Sequence, residues 1–361
     1  MRILFCGCCL PRKFETRLKD LSVAGNQYKN NLINSLKMYG EVQVLSYVTF
    51  PVENLENEIR NESKVEGYTP FIFNKKISKL LEYRKELKSL IDWADCVITY
   101  NFMYPWHGIG DIARRRGKKS ILVLADYTPS EETKGIIQKI YSLLAKWNFK
   151  KYSKVVLLSE GSKNYFDLNQ ETVLINGCLM KSKFDDFDVK NQGEVIKIVY
   201  TGMLSSVAGI ELLLESFSLL KGQQYELVIC GQGSECEQKI KESCLNDKRI
   251  VYKGFLTPEE YKIVLQNADI LVNPRDMRFV QNKNNFPSKV LEYLASGRRI
   301  VSTRFNGYER YSENIIFSES TPESIAEAIK LASARDVYST FYTNRKFAEQ
   351  FLWKQQIQKF L

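Results

Sequence analysis

The sequence predicts an α/β protein built as two parallel-sheet domains, and three observations carry this. Short apolar runs of strand length alternate with stretches whose apolar residues recur at helical spacing. The alternation restarts once, after the polar, acidic and unpatterned segment FDDFDVKNQGE at 184–194. A chain of 361 residues suits two domains, at roughly 100–200 residues each. The expected organisation is an N-terminal domain over 1–183, a linker over 184–194 and a C-terminal domain over 195–340. A helix over 341–361 follows, and either stays with the second domain or crosses back to the first.

The elements follow in order. MRILFCGC reads as the first buried strand, and Gly25-Asn26-Gln27 opens a helix that runs through Leu32 and Leu36 and ends near Gly40. EVQVLSYV is the second strand. CVITY, SILVLADY, KVVLLS and TVLIN continue the sheet. After the acidic segment, IKIVYTG is a strand ending in glycine, and GIELLLESFSLL is a helix. YELVICGQG, RIVYKGF, ADILVNP and RRIVST are further strands, with helices between them. Thr321-Pro322-Glu323 opens a helix over 320–333, and TNRKFAEQFLWKQQIQKFL forms another.

Composition narrows the function classes. No apolar run approaches the roughly 18–20 residues of a membrane span, and the apolar run at the N-terminus is too short for a signal peptide. The chain is therefore expected in the cytoplasm. The eight cysteines fall at no zinc-like spacing, and His107 is the single histidine. No metal site and no cofactor is expected. Residues 1–190 hold 30 Lys+Arg against 22 Asp+Glu, net +8, whereas 191–361 hold 22 against 20, net +2. The basic excess of the first half suits an anionic partner, and without a nucleic-acid motif that partner is read as a membrane surface or phosphorylated lipid. Within it, 135–159 carries five lysines and no acidic residue, interleaved with apolar and aromatic residues. This is either a helix that docks on an anionic membrane, giving peripheral contact with the inner face of the cell membrane, or a core-packed helix with a solvated lysine face.

The stretch FPSKVLEYLASGRRIVST, 286–303, starts a helix at the sheet edge where Thr201-Gly202, Gly231-Gln232-Gly233, Gly254 and Asn273-Pro274-Arg275 also end. In parallel sheets ligands bind at that edge. Pro287 and Ser288 fit the first turn, where free N–H groups favour an anion. Lys289 supplies a point charge for phosphate, and Glu292, one turn on, could accept hydrogen bonds from a ribose diol. The alternative is a surface Lys–Glu pair three residues apart.

The run YTGMLSSVAGIELLLESF, LVICGQGSE, VYKGFLTPEE, ADILVNPR and FPSKVLEYLASGRRIVST resembles, in that order, the nucleotide-sugar domain of family 4 retaining glycosyltransferases. The look is nearest to bacterial enzymes of capsule and exopolysaccharide synthesis. The resemblance covers about 196–305 and is architectural over 1–190. It implies the GT-B fold, two Rossmann-like parallel-sheet domains facing a deep cleft. It also implies that Glu292 binds the nucleotide ribose and that the family's first glutamate falls at Asn284. The usual arginine–lysine diphosphate clamp falls at Met203 and Ala208, leaving Arg275 and Lys289 as its replacements. Gly25, Asn26, Gly202, Asn285, Phe286 and Ser288 complete the donor site, and Gly231, Gly254, Phe255 and Leu256 fall where the base is held. The family's sugar-facing histidine falls at Asp126. His107 lies in the aromatic loop YNFMYPWHGIGD, either facing the sugar or simply opening a helix.

The resemblance thus implies a retaining, metal-independent, hexosyltransferase-type enzyme. It would move sugar from a nucleotide-diphosphate sugar, a UDP-sugar above others, to a saccharide or polyprenyl-diphosphate-linked saccharide in surface polysaccharide synthesis. The alternative is a catalytically weak assembly protein that binds nucleotide sugar without turnover.

Overall fold

The computed structural model describes residues 1–361 apart from 16, 19, 20, 22, 49, 73–76, 102–107, 126–134, 161–170, 280, 281, 283 and 284. The chain divides into two compact units. The first comprises 1–158, 162–175 and 353–361, and the second 159–161 and 176–352.

The first unit is a seven-stranded sheet. In chain order its strands are β1 (Arg2–Gly7), β2 (Glu41–Val48), β3 (Tyr68–Ile72), β4 (Cys96–Tyr100), β5 (Lys119–Leu124), β6 (Lys154–Leu157) and β7 (Glu171–Leu174). They lie in the order β3-β2-β1-β4-β5-β6-β7. Every pairing is parallel, so each connection crosses over a face and both faces are covered. That is why β1 and β4 read as unbroken apolar runs: all five residues of Cys96–Tyr100 are buried. Tyr83, Leu87, Ile91 and Ala113 cover one face.

The second unit is a six-stranded parallel sheet of β8 (Ile196–Met203), β9 (Tyr225–Gln232), β10 (Ile250–Gly254), β11 (Ile270–Asn273), β12 (Arg299–Thr303) and β13 (Ile316–Ser318), in the order β10-β9-β8-β11-β12-β13. Helices Ile210–Ser218 and Pro322–Ala334 pack Leu213, Phe217, Ile325 and Ile329 on one face. Helices Pro258–Asn267 and Lys289–Ser296 pack Leu265, Leu291 and Leu294 on the other. Two of these helices carry side-chain caps, the second at the start that the sequence suggests. Thr257 and Glu260 form a reciprocal capping box, and the Thr321 hydroxyl accepts from the Ser324 N–H. Strand order reverses between β8 and β11, which opens a crevice past their carboxyl ends.

Two sequence expectations change. The segment 184–194 is no free linker: Phe184 and Phe187 are buried in the second unit's core. The Arg345 guanidinium donates to both their carbonyls, and Lys190 pairs with Asp269 at 2.5 Å. The acidic letters hid two aromatic anchors. The C-terminal stretch is not one helix either. Val337–Ala348 and a single 3-10 turn end at Leu352, which is extended and bridges Leu179, before Trp353–Gln358 resumes. Phe351 is buried in the second unit's core, whereas Trp353 meets Tyr28 of the first unit at 5.0 Å. The break lets one peptide serve both.

Candidate active site

The crevice of the second unit gathers its side chains around the end of β8. Gly202, with φ near +141°, occupies a conformation few side-chain-bearing residues adopt. A Cβ there would lie 2.7 Å from the Lys289 ammonium and 3.2 Å from the Tyr200 hydroxyl. Glycine at 202 therefore makes room for the Lys289 side chain. Lys289 begins the helix Lys289–Ser296, and its ammonium sits 4.2 Å over the Tyr200 ring. Tyr200 is held by donating to the Met203 carbonyl at 2.6 Å.

Lys289 is partly buried and, among the described residues, has no carboxylate partner. Burial, and then the positive charge of Arg275, pushes its ammonium down to about 7 from the usual 10.5. Arg275, just past β11, is also partly buried and has no described carboxylate partner. It donates to the Asn285 carbonyl at 3.1 Å, and burial holds its guanidinium below the usual arginine range. Two neighbouring cations without a counter-charge among the described residues, at a topological switch point, form a site that an anion would complete.

Glu292 lies one turn along the same helix but does not pair with Lys289, so the surface-pair alternative fails. Its Oε1 accepts from Lys183 Nζ and its Oε2 from the Tyr261 hydroxyl, each at 2.5 Å. Lys183 Nζ also sits 5.1 Å from the Tyr261 ring. Each carboxylate oxygen retains a further lone pair for a hydroxyl donor. Ser288 precedes the helix in helical conformation, and its hydroxyl makes no capping bond. The two arginines after the helix serve structure. Arg298 donates to the carbonyls of Leu265, Gln266 and Asp188, and Arg299 to those of Asp269 and Ser333.

Several sequence-predicted residues have other roles. Phe286 belongs to an aromatic cluster with Phe305 at 5.3 Å and Tyr311 at 5.7 Å. Asn285 contributes its carbonyl to Arg275. A Cβ on Gly231 would fall 1.7 Å from the Gly202 carbonyl oxygen, so Gly231 is there for strand packing. Gly254 opens onto free space with φ near +68°, Phe255 beside it is 73% exposed, and Leu256 packs against the core. Gly25 and Asn26 lie inside the helix Val23–Leu36 instead of opening it. Asn26 is fully buried. Its amide donates to the Leu10 carbonyl and to Glu15, and its oxygen accepts from the Leu10 N–H. Those bonds pin the loop after β1, which corrects its assignment to the donor. Met203, where the family clamp would begin, is 68% exposed. His107, Asp126 and Asn284 lie outside the described residues.

Lys183, Tyr200 and Tyr261 were missed from sequence. Tyr200 was within reach, two residues before Gly202 in the quoted YTG. Lys183 and Tyr261 stand 109 and 31 residues from Glu292, and no local pattern links them to it. Among the described residues, no group of three His, Cys, Asp or Glu side chains could hold a metal ion.

Comparison with known proteins bears on this geometry. Residues 196–334 match the family model described as "Glycosyl transferases group 1". That span contains the crevice, Gly202, Arg275, Lys289 and Glu292. A search of curated proteins returned no match. Among solved structures, a glycosyltransferase from Rickettsia africae ESF-5 is similar with a TM-score of 0.73 at 16% identity, covering 99% of this chain and 96% of that one. A sucrose-phosphate synthase from Thermosynechococcus elongatus gives 0.68 at 14%, covering 99% and 97%. Anabaena Alr3699/HepE, solved in complex with UDP and glucose, gives 0.66 at 15%, covering 99% and 98%. Residues 196–334 thus match a group 1 glycosyl transferase model, and the chain as a whole shares the two-domain fold of these solved structures.

Proposed function

We propose that this protein is a retaining, metal-independent glycosyltransferase. It moves a sugar from a nucleotide-diphosphate sugar to a saccharide or lipid-linked saccharide acceptor in surface polysaccharide synthesis. The observation that carries this is the pair Lys289 and Arg275, partly buried and without a described carboxylate at the end of β8 and β11. The family match over the same residues and the UDP and glucose bound by the Anabaena neighbour support it.

In this reading the diphosphate of the donor lies between Lys289 and Arg275. Glu292, oriented by Tyr261 and Lys183, accepts from the ribose hydroxyls. The bond between the anomeric carbon and the β-phosphate oxygen breaks, and a bond from the acceptor oxygen to that carbon forms. The acceptor proton passes to the leaving phosphate. Negative charge grows on the diphosphate as that bond breaks, so two fixed cations stabilise the transition state more than the bound donor. A positive Lys289 is needed for this, and a diphosphate would restore the proton that burial makes labile.

The experiment is acceptor-dependent release of nucleoside diphosphate from a panel of nucleotide sugars, with product configuration read by NMR. Turnover in wild type, lost in Lys289→Ala and Arg275→Ala, supports the reading. Nucleotide binding without turnover on any acceptor supports the assembly-protein alternative instead.

A further inference from the structure

The helix Ile136–Phe149 carries an apolar face that is left open. Ile136, Ile140, Leu143, Leu144 and Trp147 are 79%, 52%, 58%, 43% and 61% exposed. They recur four, seven, eight and eleven residues from the first, so they form one stripe along the helix. The opposite side is accounted for, because Ala145 and Phe149 are buried in the first unit's core with Leu122 and Val155. The helix is therefore packed into the core on one side, and its solvated side is apolar as well as basic.

Charge indicates what covers the stripe. Lys139 and Lys150 are exposed on one edge of it, and Lys151 Nζ lies 4.4 Å from the Trp147 ring. No Asp or Glu occurs from 133 to 159. A second copy of the chain would bring the same lysines face to face, which opposes self-association through this surface. An anionic bilayer meets both features at once. Its acyl boundary takes the aliphatic row, its headgroup phosphates take the lysines, and tryptophan favours the interface between. We propose that this face docks the protein on an anionic lipid membrane. The proposal stands beside the transfer reading without depending on it, and its test uses neither donor nor acceptor.

The test is flotation of the full chain with phosphatidylcholine vesicles, alone or carrying about one-third phosphatidylglycerol. Two variants are compared with wild type, I140S/L143S and K139E/K150E. Wild type should float with the anionic vesicles and far less with the neutral ones. At a few-fold per lysine near an anionic surface, the charge reversals should cut partitioning about 20-fold or more. Loss of the two aliphatic side chains should do at least as much. Tryptophan emission should shift to the blue on binding, and Trp147→Phe should remove most of that shift, which reads the contact even if the double variants fold poorly. Failure to float overturns the proposal, as does equal binding to both vesicles or undiminished binding by the variants. Concentration-dependent self-association that I140S/L143S abolishes, with no vesicle binding, overturns it in favour of an interface between copies.

Discussion

Replacing Lys289 with methionine should stabilise the free protein while abolishing donor binding. The lysine's ammonium is pushed from 10.5 to about 7. At about 1.4 kcal/mol per unit, that displacement corresponds to about 5 kcal/mol for a charged group fully removed from water. Lys289 is only partly buried, so solvent screens part of this and about 2 kcal/mol of penalty is left. Methionine has nearly the same length, no charge, and a thioether that packs well against the Tyr200 ring. For a unit of this size the gain corresponds to about 4–8 °C in melting temperature. The pH dependence fixes its origin. Below the folded value of about 7, both folded and unfolded lysine are protonated, and the full penalty is present. Between 7 and 10.5 the unfolded chain binds more protons than the folded one, so wild-type stability rises with pH relative to the variant. The advantage of Lys289→Met should therefore be largest near pH 6 and fade toward about pH 10. Differential scanning fluorimetry of both proteins across this range is the assay. A variant that melts lower at pH 6, or an advantage flat with pH, would refute the claim that Lys289 is an uncompensated cation.

Four further outcomes follow from the same geometry. Arg275→Ala should weaken nucleoside diphosphate binding by about 10-fold to 100-fold in calorimetric titration, the loss typical of one charge-assisted contact. Gly202→Ala combines an unfavourable φ with a close approach to Lys289 and Tyr200, so it should cost about 1–3 kcal/mol in denaturant unfolding and weaken donor binding as well. Tyr261→Phe leaves Glu292 Oε2 without its donor, and should raise the dissociation constant several-fold with little change in turnover at saturating donor. Asn26→Ala leaves the buried Leu10 N–H without its acceptor, while the Leu10 carbonyl keeps the Asn30 amide, and should cost about 1–3 kcal/mol, with nucleotide affinity unchanged.

What was legible in the sequence depended on how local each signal is. Parallel strands buried on both faces read as apolar runs, so CVITY and EVQVLSYV coincide with β4 and β2. The two strands missed have physical reasons. β3 is an edge strand interrupted by Pro70, and β13 is three residues long. The helix start FPSKVLEY announced Lys289 and Glu292, since phosphate chemistry favours a lysine where backbone N–H groups are free. Arg275 was legible beside that lysine from the strand ends, whereas Tyr200, which lies under its ammonium, was not, because no local pattern links the two positions. Asn26 misled because an asparagine near a helix start has the same letter whether it meets a ligand or ties down a loop.

The central claim is that the end of β8 and β11 holds a nucleoside diphosphate through Lys289, with Glu292 on the ribose. The most direct test is a thermal-shift screen of the wild-type chain against UDP, GDP, dTDP and CMP, repeated with Lys289→Ala and Glu292→Ala. A ligand bound only by the folded state raises the melting temperature in proportion to the logarithm of its concentration over the dissociation constant. The account predicts that one nucleoside diphosphate raises the melting temperature of wild type and that both variants lose the shift. No shift with any nucleotide, or an equal shift in the variants, would contradict it.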